Sequence, residues 1–269
     1  MITFLLWNTR GKNLIDPVRR LVSEHQVDVL VLVEPGGSKG VLLQQLNSQP
    51  GQLYHFTTSL CESIDIYVRF PNDFIEAVFE SSRLTVRRLS LPGREEILLV
   101  ATHLPSLLYM SSESQPAEFF ELSRTIRQVE EQRGHSRTIV VGDLNANPFD
   151  AGLVSAAGLN ATMSKAVASR MTRTVQGRTY PFFYNPMWNL LGDRGPGPAG
   201  SYHYRRAEDV CYYWHLIDQV LIRPVLADLL ENDGPRVVTK AQDIDLSRNG
   251  TPYATRFSDH FPLIFSLNI

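Results

Sequence analysis

Val27-Asp28-Val29-Leu30-Val31-Leu32-Val33, followed at once by Glu34-Pro35-Gly36-Gly37, decides the fold class. Every residue but Asp28 is aliphatic, and a run this rich in β-branched side chains suits a strand covered on both faces. Proline and glycine then force the chain out of the sheet, so Glu34 stands at the strand's end. Upstream, Asp16-Pro17 reads as a helix start: the aspartate is expected to cap free amides, and the proline falls where its missing N–H costs nothing. Val18, Leu21, Val22 and His25 recur at three- and four-residue intervals and give that helix one inward face. Before it, Ile2–Trp7 is an apolar run suited to a buried strand. Strand, helix, strand is the start of an α/β protein.

The alternation continues downstream. Ile64–Phe70, Arg83–Leu89 and Glu96–His103 read as strands. Ser114 and Pro116 open a second helix, with Phe119, Leu122, Ile126 and Val129 inward and Gly134 ending it. Thr138–Val141 (TIVV), Leu216–Ile222 and Pro262–Leu267 complete the set. These strands are too numerous for one sheet, and no repeat or composition break divides the chain. The expectation is a single domain over residues 1–269 containing two packed sheets. Its least regular part is an aromatic-rich loop over residues 177–213.

Charge narrows the partners. Lys plus Arg number 26 against 28 Asp plus Glu, a formal net charge of −2. An anionic partner must therefore be attracted locally rather than by the molecule as a whole. Cys61 and Cys211 are too few for a disulfide framework and read as free thiols of a reducing compartment. The apolar N-terminus lacks a basic start and a small-residue cleavage site, and no stretch approaches the roughly 20 apolar residues that span a bilayer. A cytoplasmic protein without stable membrane association is expected, and no feature points to a protein partner.

Polar residues stand where the strands stop. Asn8 ends the first run and Glu34 the second. His103 ends another, in Thr102-His103-Leu104-Pro105; Gly142-Asp143-Leu144-Asn145 follows TIVV; Ser258-Asp259-His260 precedes the last strand. Taken singly, each is also a common turn residue whose side chain satisfies nearby backbone groups. Asp218 differs, because Ile217 and Val220-Leu221-Ile222 make its run look buried, and a buried carboxylate needs a partner.

Taken in order, these patterns resemble the exonuclease–endonuclease–phosphatase superfamily, whose fold is that of DNase I. That family shows a strand-ending Asn, a strand-ending Glu, a Thr-His, a Gly-Asp-Phe/Leu-Asn, an Ile/Leu-Asp before an apolar strand and a terminal Ser-Asp-His-x-Pro. The matches run from Asn8 to Pro262. The resemblance implies a four-layer α/β sandwich, two mixed β-sheets flanked by helices, and a divalent-metal-dependent phosphodiester hydrolase. It implies Glu34, Asn8 and Asp259 as ligands of Mg²⁺ or Mn²⁺, and Asp143 with Asn145 as the pair that orients or deprotonates the attacking water. His260 would contact the scissile phosphate, Asp218 would hold His260, and His103 would contact phosphate near the leaving group. Two departures stand out. Leu32-Val33-Glu34-Pro35 replaces the usual Leu-Gln-Glu context, and the Tyr-Gly segment of abasic-site endonucleases has no counterpart.

The loops select the substrate. Within residues 177–213, Arg178, Tyr184, Trp188, Tyr204, Arg205 and Arg206 combine base-stacking faces with phosphate-binding cations, as single-stranded nucleic acid requires. A hydrophobic cluster pinning the loop fits the same composition. Arg83, Arg87 and Arg88 offer a basic edge or a solvated face. DNA or RNA is the expected substrate, with a phospholipid head group or small phosphorylated metabolite as the alternative. Pro105–Met110 (PSLLYM) is the one short apolar loop that favours a lipid surface. A non-catalytic nucleic-acid-binding module is the third reading, and the presence of Glu34, Asp143 and His260 argues against it.

Overall fold

A computed structural model describes residues 1–48, 51–106, 114–205, 207 and 209–269. Residues 107–110 of the short apolar loop, and Arg206, lie outside them. Strands β1 (Ile2–Asn8) and β2 (Val29–Val33) flank helix α1 (Ile15–Glu24). Helix α2 (Lys39–Leu46), β3 (His55–Thr57) and β4 (Ile64–Val68) follow. Next come β5 (Ile75–Glu80), β6 (Leu84–Leu89), β7 (Ile97–His103), α3 (Gln115–Arg133) and β8 (Thr138–Asp143). The last principal strands are β9 (Asp218–Ile222) and β10 (Leu263–Leu267).

Two mixed sheets result. The first has the order Arg236–Val237, β10, β1, β2, β4, β3, and the second β5, β6, β7, β8, β9, Phe183–Tyr184, Ala161–Thr162. Each contains a parallel pair joined by a helical crossover, β1 with β2 through α1 and β7 with β8 through α3. Alternate side chains go to opposite faces of a strand, and this sorts the core into layers. Phe4, Leu6, Val29, Val31 and Val33 meet Leu99, Ala101, Ile139 and Val141 between the sheets. Leu5, Trp7, Leu30 and Leu32 face outward against Val18, Leu21 and Val22 of α1 and Leu42 and Leu46 of α2. On the far side, Leu98, Val100 and Val140 pack on Phe119, Leu122, Ile126 and Val129 of α3. The architecture is the expected four-layer sandwich.

Three local expectations change. Asp16 does not cap α1: the helix starts at Ile15, its N-cap is Leu14, and Asp16 pairs instead with Arg19 at 3.1 Å and Arg20 at 2.9 Å. A carboxylate in the first turn still complements the helix dipole. Of the three arginines read as a basic edge, Arg87 is buried against Glu80 at 2.6 Å and Arg88 pairs with Glu76 at 2.6 Å. Residues 177–213 are not one loop. Arg178–Pro181 forms a hairpin with Thr172–Val175, Phe183–Tyr184 joins the second sheet, and Tyr202–His203 pairs with Trp214–His215. Sheet pairing gives these backbone groups the hydrogen bonds that an irregular loop would have to find in water. Among the described residues, Cys61 and Cys211 are free and no helix is long and apolar enough to cross a membrane.

Glu96, just before β7, ties α3 to the second sheet. Arg133 donates to it at 2.8 and 2.7 Å, and the His135 ring lies 3.0 Å away. The Arg133 hydrogen bond, outweighing burial, holds the carboxyl down at about 2. A depressed folded-state value adds stability that is complete above the ordinary value of 4.5 and is lost as pH falls towards about 2. Glu96→Gln is therefore expected to lower unfolding free energy at pH 7, with the gap to wild type closing in acid. Urea titrations at several pH values measure it; a gap unchanged at pH 2.5 (roughly) contradicts the assignment.

Candidate active site

The strand registers bring the polar strand ends together. In the first sheet Asn8 lies opposite Val33, so Glu34 follows one residue beyond. Strand β10 runs antiparallel to β1 with Leu263 opposite Leu6, which delivers Asp259 and His260 to the same edge. In the second sheet Asp143 has His103 opposite it on one side and Asp218 on the other. Gly142 permits this register: a Cβ there would lie 1.8 Å from the Thr102 carbonyl oxygen. The glycine of Gly-Asp-Leu-Asn is thus required by the approach of β7 to β8.

Two turns aim the ends. Glu34 and Asn145 both have left-handed backbones, φ 45° and 48°, a conformation costing about 1 kcal/mol or more for non-glycine residues. Hydrogen bonds hold Glu34 there. Its amide donates to the Ser63 carbonyl at 2.9 Å, and its carbonyl accepts from the Thr9 hydroxyl at 2.7 Å and the Gly11 amide at 2.8 Å. Asn145 donates its amide N–H to Asp143 Oδ1 at 2.9 Å and its side-chain Nδ2 to the Leu104 carbonyl at 2.9 Å.

Contacts across the two sheets join the groups into one network. Asn8 Nδ2 donates to Asp143 Oδ2 at 2.9 Å and reaches Glu34 Oε1 at 3.3 Å. His260 Nδ1 is 2.8 Å from Asp218 Oδ2, and its Nε2 lies 3.9 Å from Asp143 Oδ2 and 4.0 Å from Asp259 Oδ1. His103 Nε2 lies 3.4 Å from Glu34 Oε1. Ser258 anchors the last strand's entry, donating to the Asn8 carbonyl at 2.6 Å and accepting from the His260 amide at 3.1 Å. Trp7 Nε1 donates to the His260 carbonyl at 2.9 Å.

Electrostatics separates the two histidines. Burial disfavours the His260 imidazolium, but Asp218, Asp143 and Asp259 outweigh it and raise the group to about 9. His103 is lowered, because burial exceeds the attraction of Glu34 and His260 adds repulsion. At neutral pH one ring is a cation and the other is neutral. Burial pushes the Asp143 carboxyl up to about 7 against the pull of His260.

The network floors a cavity of about 770 Å³ that also exposes Arg10, Arg83, Tyr202, Tyr204 and His215. The sequence profile of the Endonuclease/Exonuclease/phosphatase family matches residues 5–260. The chain belongs to that family. Solved structures agree on the fold of this family member. The AP endonuclease from Archaeoglobus fulgidus superposes with TM-score 0.59 at 15% identity, covering 100% of both chains. The 3′-5′ exonuclease from Neisseria meningitidis gives 0.57 at 17%, again over 100% of both. Truncated TDP2 from Caenorhabditis elegans gives 0.55 at 15%, covering 98% of this chain and 97% of the other. No curated protein matches the chain in sequence.

Asn8, Glu34, His103, Asp143, Asn145, Asp259 and His260 all line the cavity, and Asp218 lies behind His260. The substrate-contact expectations fare differently. Tyr204 lines the cavity. Tyr184 pairs with Ile222, at the opposite end of β9 from Asp218, and Arg178 is exposed on the hairpin. Neither lines the cavity: Arg178 lies in a separate two-stranded sheet with Thr172–Val175, and Tyr184 pairs at the end of β9 remote from Asp218. Arg205 is exposed outside the lining, and Trp188, also outside it, meets Phe149, whose ring meets Tyr212. Arg10, His215 and Tyr212 line the cavity without having drawn notice in the sequence. Only Arg10, two residues past Asn8, carried a positional signal.

Proposed function

We propose that this family member is a divalent-metal-dependent phosphodiesterase that hydrolyses nucleic acid by water attack on the scissile phosphate. The observation that carries the reading is His260, a buried cation held by Asp218 at 2.8 Å with Asp143 beside it. A fixed positive donor facing a cavity suits the charge that grows on phosphoryl oxygens in the transition state.

Glu34, Asn8 and Asp259 would hold the metal. All offer hard oxygen donors, which suit Mg²⁺ or Mn²⁺. Asp259 Oδ1 is buried without a hydrogen-bond partner, and the Glu34 side chain is 41% exposed towards the cavity. Asp143, Asp218 and His260 also lie close enough to share an ion. That triplet is better read as a proton-holding network, because an imidazolium already bound to Asp218 has no lone pair for a metal. The bound metal supplies Lewis-acid neutralisation and a template for the phosphate.

The remaining work falls to side chains. Asp143, raised towards neutrality, accepts the proton of the attacking water, and Asn145, pinned through Leu104, orients that water. Asn8 holds Asp143 in place from the opposite sheet. Neutral His103 hydrogen-bonds the phosphate on the leaving-group side. Nuclease structures among the fold neighbours support nucleic acid over lipid, and the two free thiols support a reducing, cytoplasmic setting.

The test is turnover of DNA, RNA, phospholipid and inositol phosphates with Mg²⁺ or Mn²⁺. Nucleic-acid cleavage that stops with chelator is expected, with Glu34→Ala losing about a hundredfold in rate and weakening Mn²⁺ binding by calorimetry. Turnover of lipid or sugar phosphates alone would redirect the substrate, and no turnover of any would overturn the reading.

A further inference from the structure

An unbroken strip of aromatic rings leads out of the cavity from His260. The Tyr202 ring lies 4.7 Å from the His260 ring, and His215 lies 6.1 Å from Tyr202. Tyr212 follows at 6.1 Å from His215, Phe149 at 6.0 Å from Tyr212, and Trp188 at 6.1 Å from Phe149. Three separate segments build it, so no single sequence window reveals it.

Pinning a loop does not account for the strip. Rings that serve only to pin are buried, yet Tyr212 is 62% and Phe149 39% exposed. Contiguous exposed apolar faces beside a reaction cavity mark a binding surface. Guanidinium and ammonium groups nearby are few: among the described lining residues only Arg10 and Arg83, and Arg10 is paired with Asp259 at 3.2 Å. Among the described lining residues the strip therefore offers exposed aromatic rings, with little to neutralise a phosphate backbone.

We propose that this strip selects unpaired strands: it stacks the bases that flank the scissile phosphate, and Phe149 and Tyr212 are specificity-determining residues. The inference rests on the hydrolase reading for the position of that phosphate. Bases within a duplex have both faces covered by their neighbours, whereas an unpaired base has a face free to stack. Because affinity comes from stacking, its salt dependence is shallow. Two neutralised phosphates give a slope of log affinity against log salt near about −1.4.

Fluorescence anisotropy on the full chain, in chelator to prevent cleavage, tests the strip with a labelled oligodeoxynucleotide as a single strand and as a duplex. The single strand is expected to bind about tenfold tighter or better, and Phe149→Ala and Tyr212→Ala each to weaken it by about 5- to 150-fold. Phe149→Tyr should restore binding, which separates stacking from damage to the fold. Equal affinity for the two forms, or unchanged affinity in both alanine variants, overturns the proposal. Methyl 4-nitrophenyl phosphate is a diester too small to reach Phe149, so its hydrolysis reports on the cavity alone. Hydrolysis of it without strand preference sinks the strip and keeps the hydrolase; strand preference without any hydrolysis sinks the hydrolase and keeps the strip.

Discussion

Replacing His260 with alanine is expected to lower kcat on a phosphodiester by about 10²- to 10³-fold while the protein remains folded. The change removes the buried imidazolium facing Asp143 and leaves Asp143, Asp218 and Asp259 without it. Asp218→Asn tests the same device by a different route. Burial alone would lower His260, and Asp218 is the chief group that raises it to about 9. The cationic donor is present below that value and lost above it. In wild type, activity should therefore fall as pH rises through about 9, and in Asp218→Asn the fall should begin at lower pH. Initial rates across pH decide the matter. A His260→Ala enzyme within threefold of wild type (roughly, against the expected range) would remove His260 from the chemistry.

The largest expected effect on stability belongs to a pair remote from the cavity. Glu130 of α3 and Arg223, just past β9, are 7% and 2% exposed and bond twice, at 2.8 and 2.9 Å. Each also has a further partner: Thr138 donates to Glu130 Oε1 at 2.6 Å, and Arg223 Nη1 donates to the Phe182 carbonyl at 3.0 Å. The guanidinium also lies 3.8 Å over the Phe183 ring. Glu130→Ala or Arg223→Ala leaves an uncompensated buried charge and should cost about 3–5 kcal/mol in urea unfolding. Glu130→Leu combined with Arg223→Met removes both charges and should return to within about 1 kcal/mol of wild type. Equal losses in the single and double variants would show that packing, not charge, sets the cost.

The legible parts of the sequence are those where several constraints coincide. Strands β1, β2, β7 and β8 are interior to their sheets and covered on both faces, so they read as continuous apolar runs. Gly142 and Ser258 could be read as parts of motifs because each answers a backbone demand, one a close approach and the other two hydrogen bonds. Asp218 looked out of place in an apolar run, and the partner its burial demanded is His260. Edge strand β5 is not legible, because only one of its six side chains is buried and no continuous apolar run marks it. Nor is the pairing of Tyr202–His203 with Trp214–His215, which two-residue strands cannot announce. Arg178 and Tyr184 fall outside the cavity for a related reason: nearness in sequence to aromatic neighbours says nothing about which strand partner captures them.

Asn8 and His260 come from one sheet, and Asp143 and Asp218, to which they bond, come from the other. A chain that has formed either sheet alone therefore holds only half of the reactive assembly. Partly folded molecules, including those still emerging during synthesis, therefore lack the assembled site. The proposed hydrolysis would arrive only when the two halves dock.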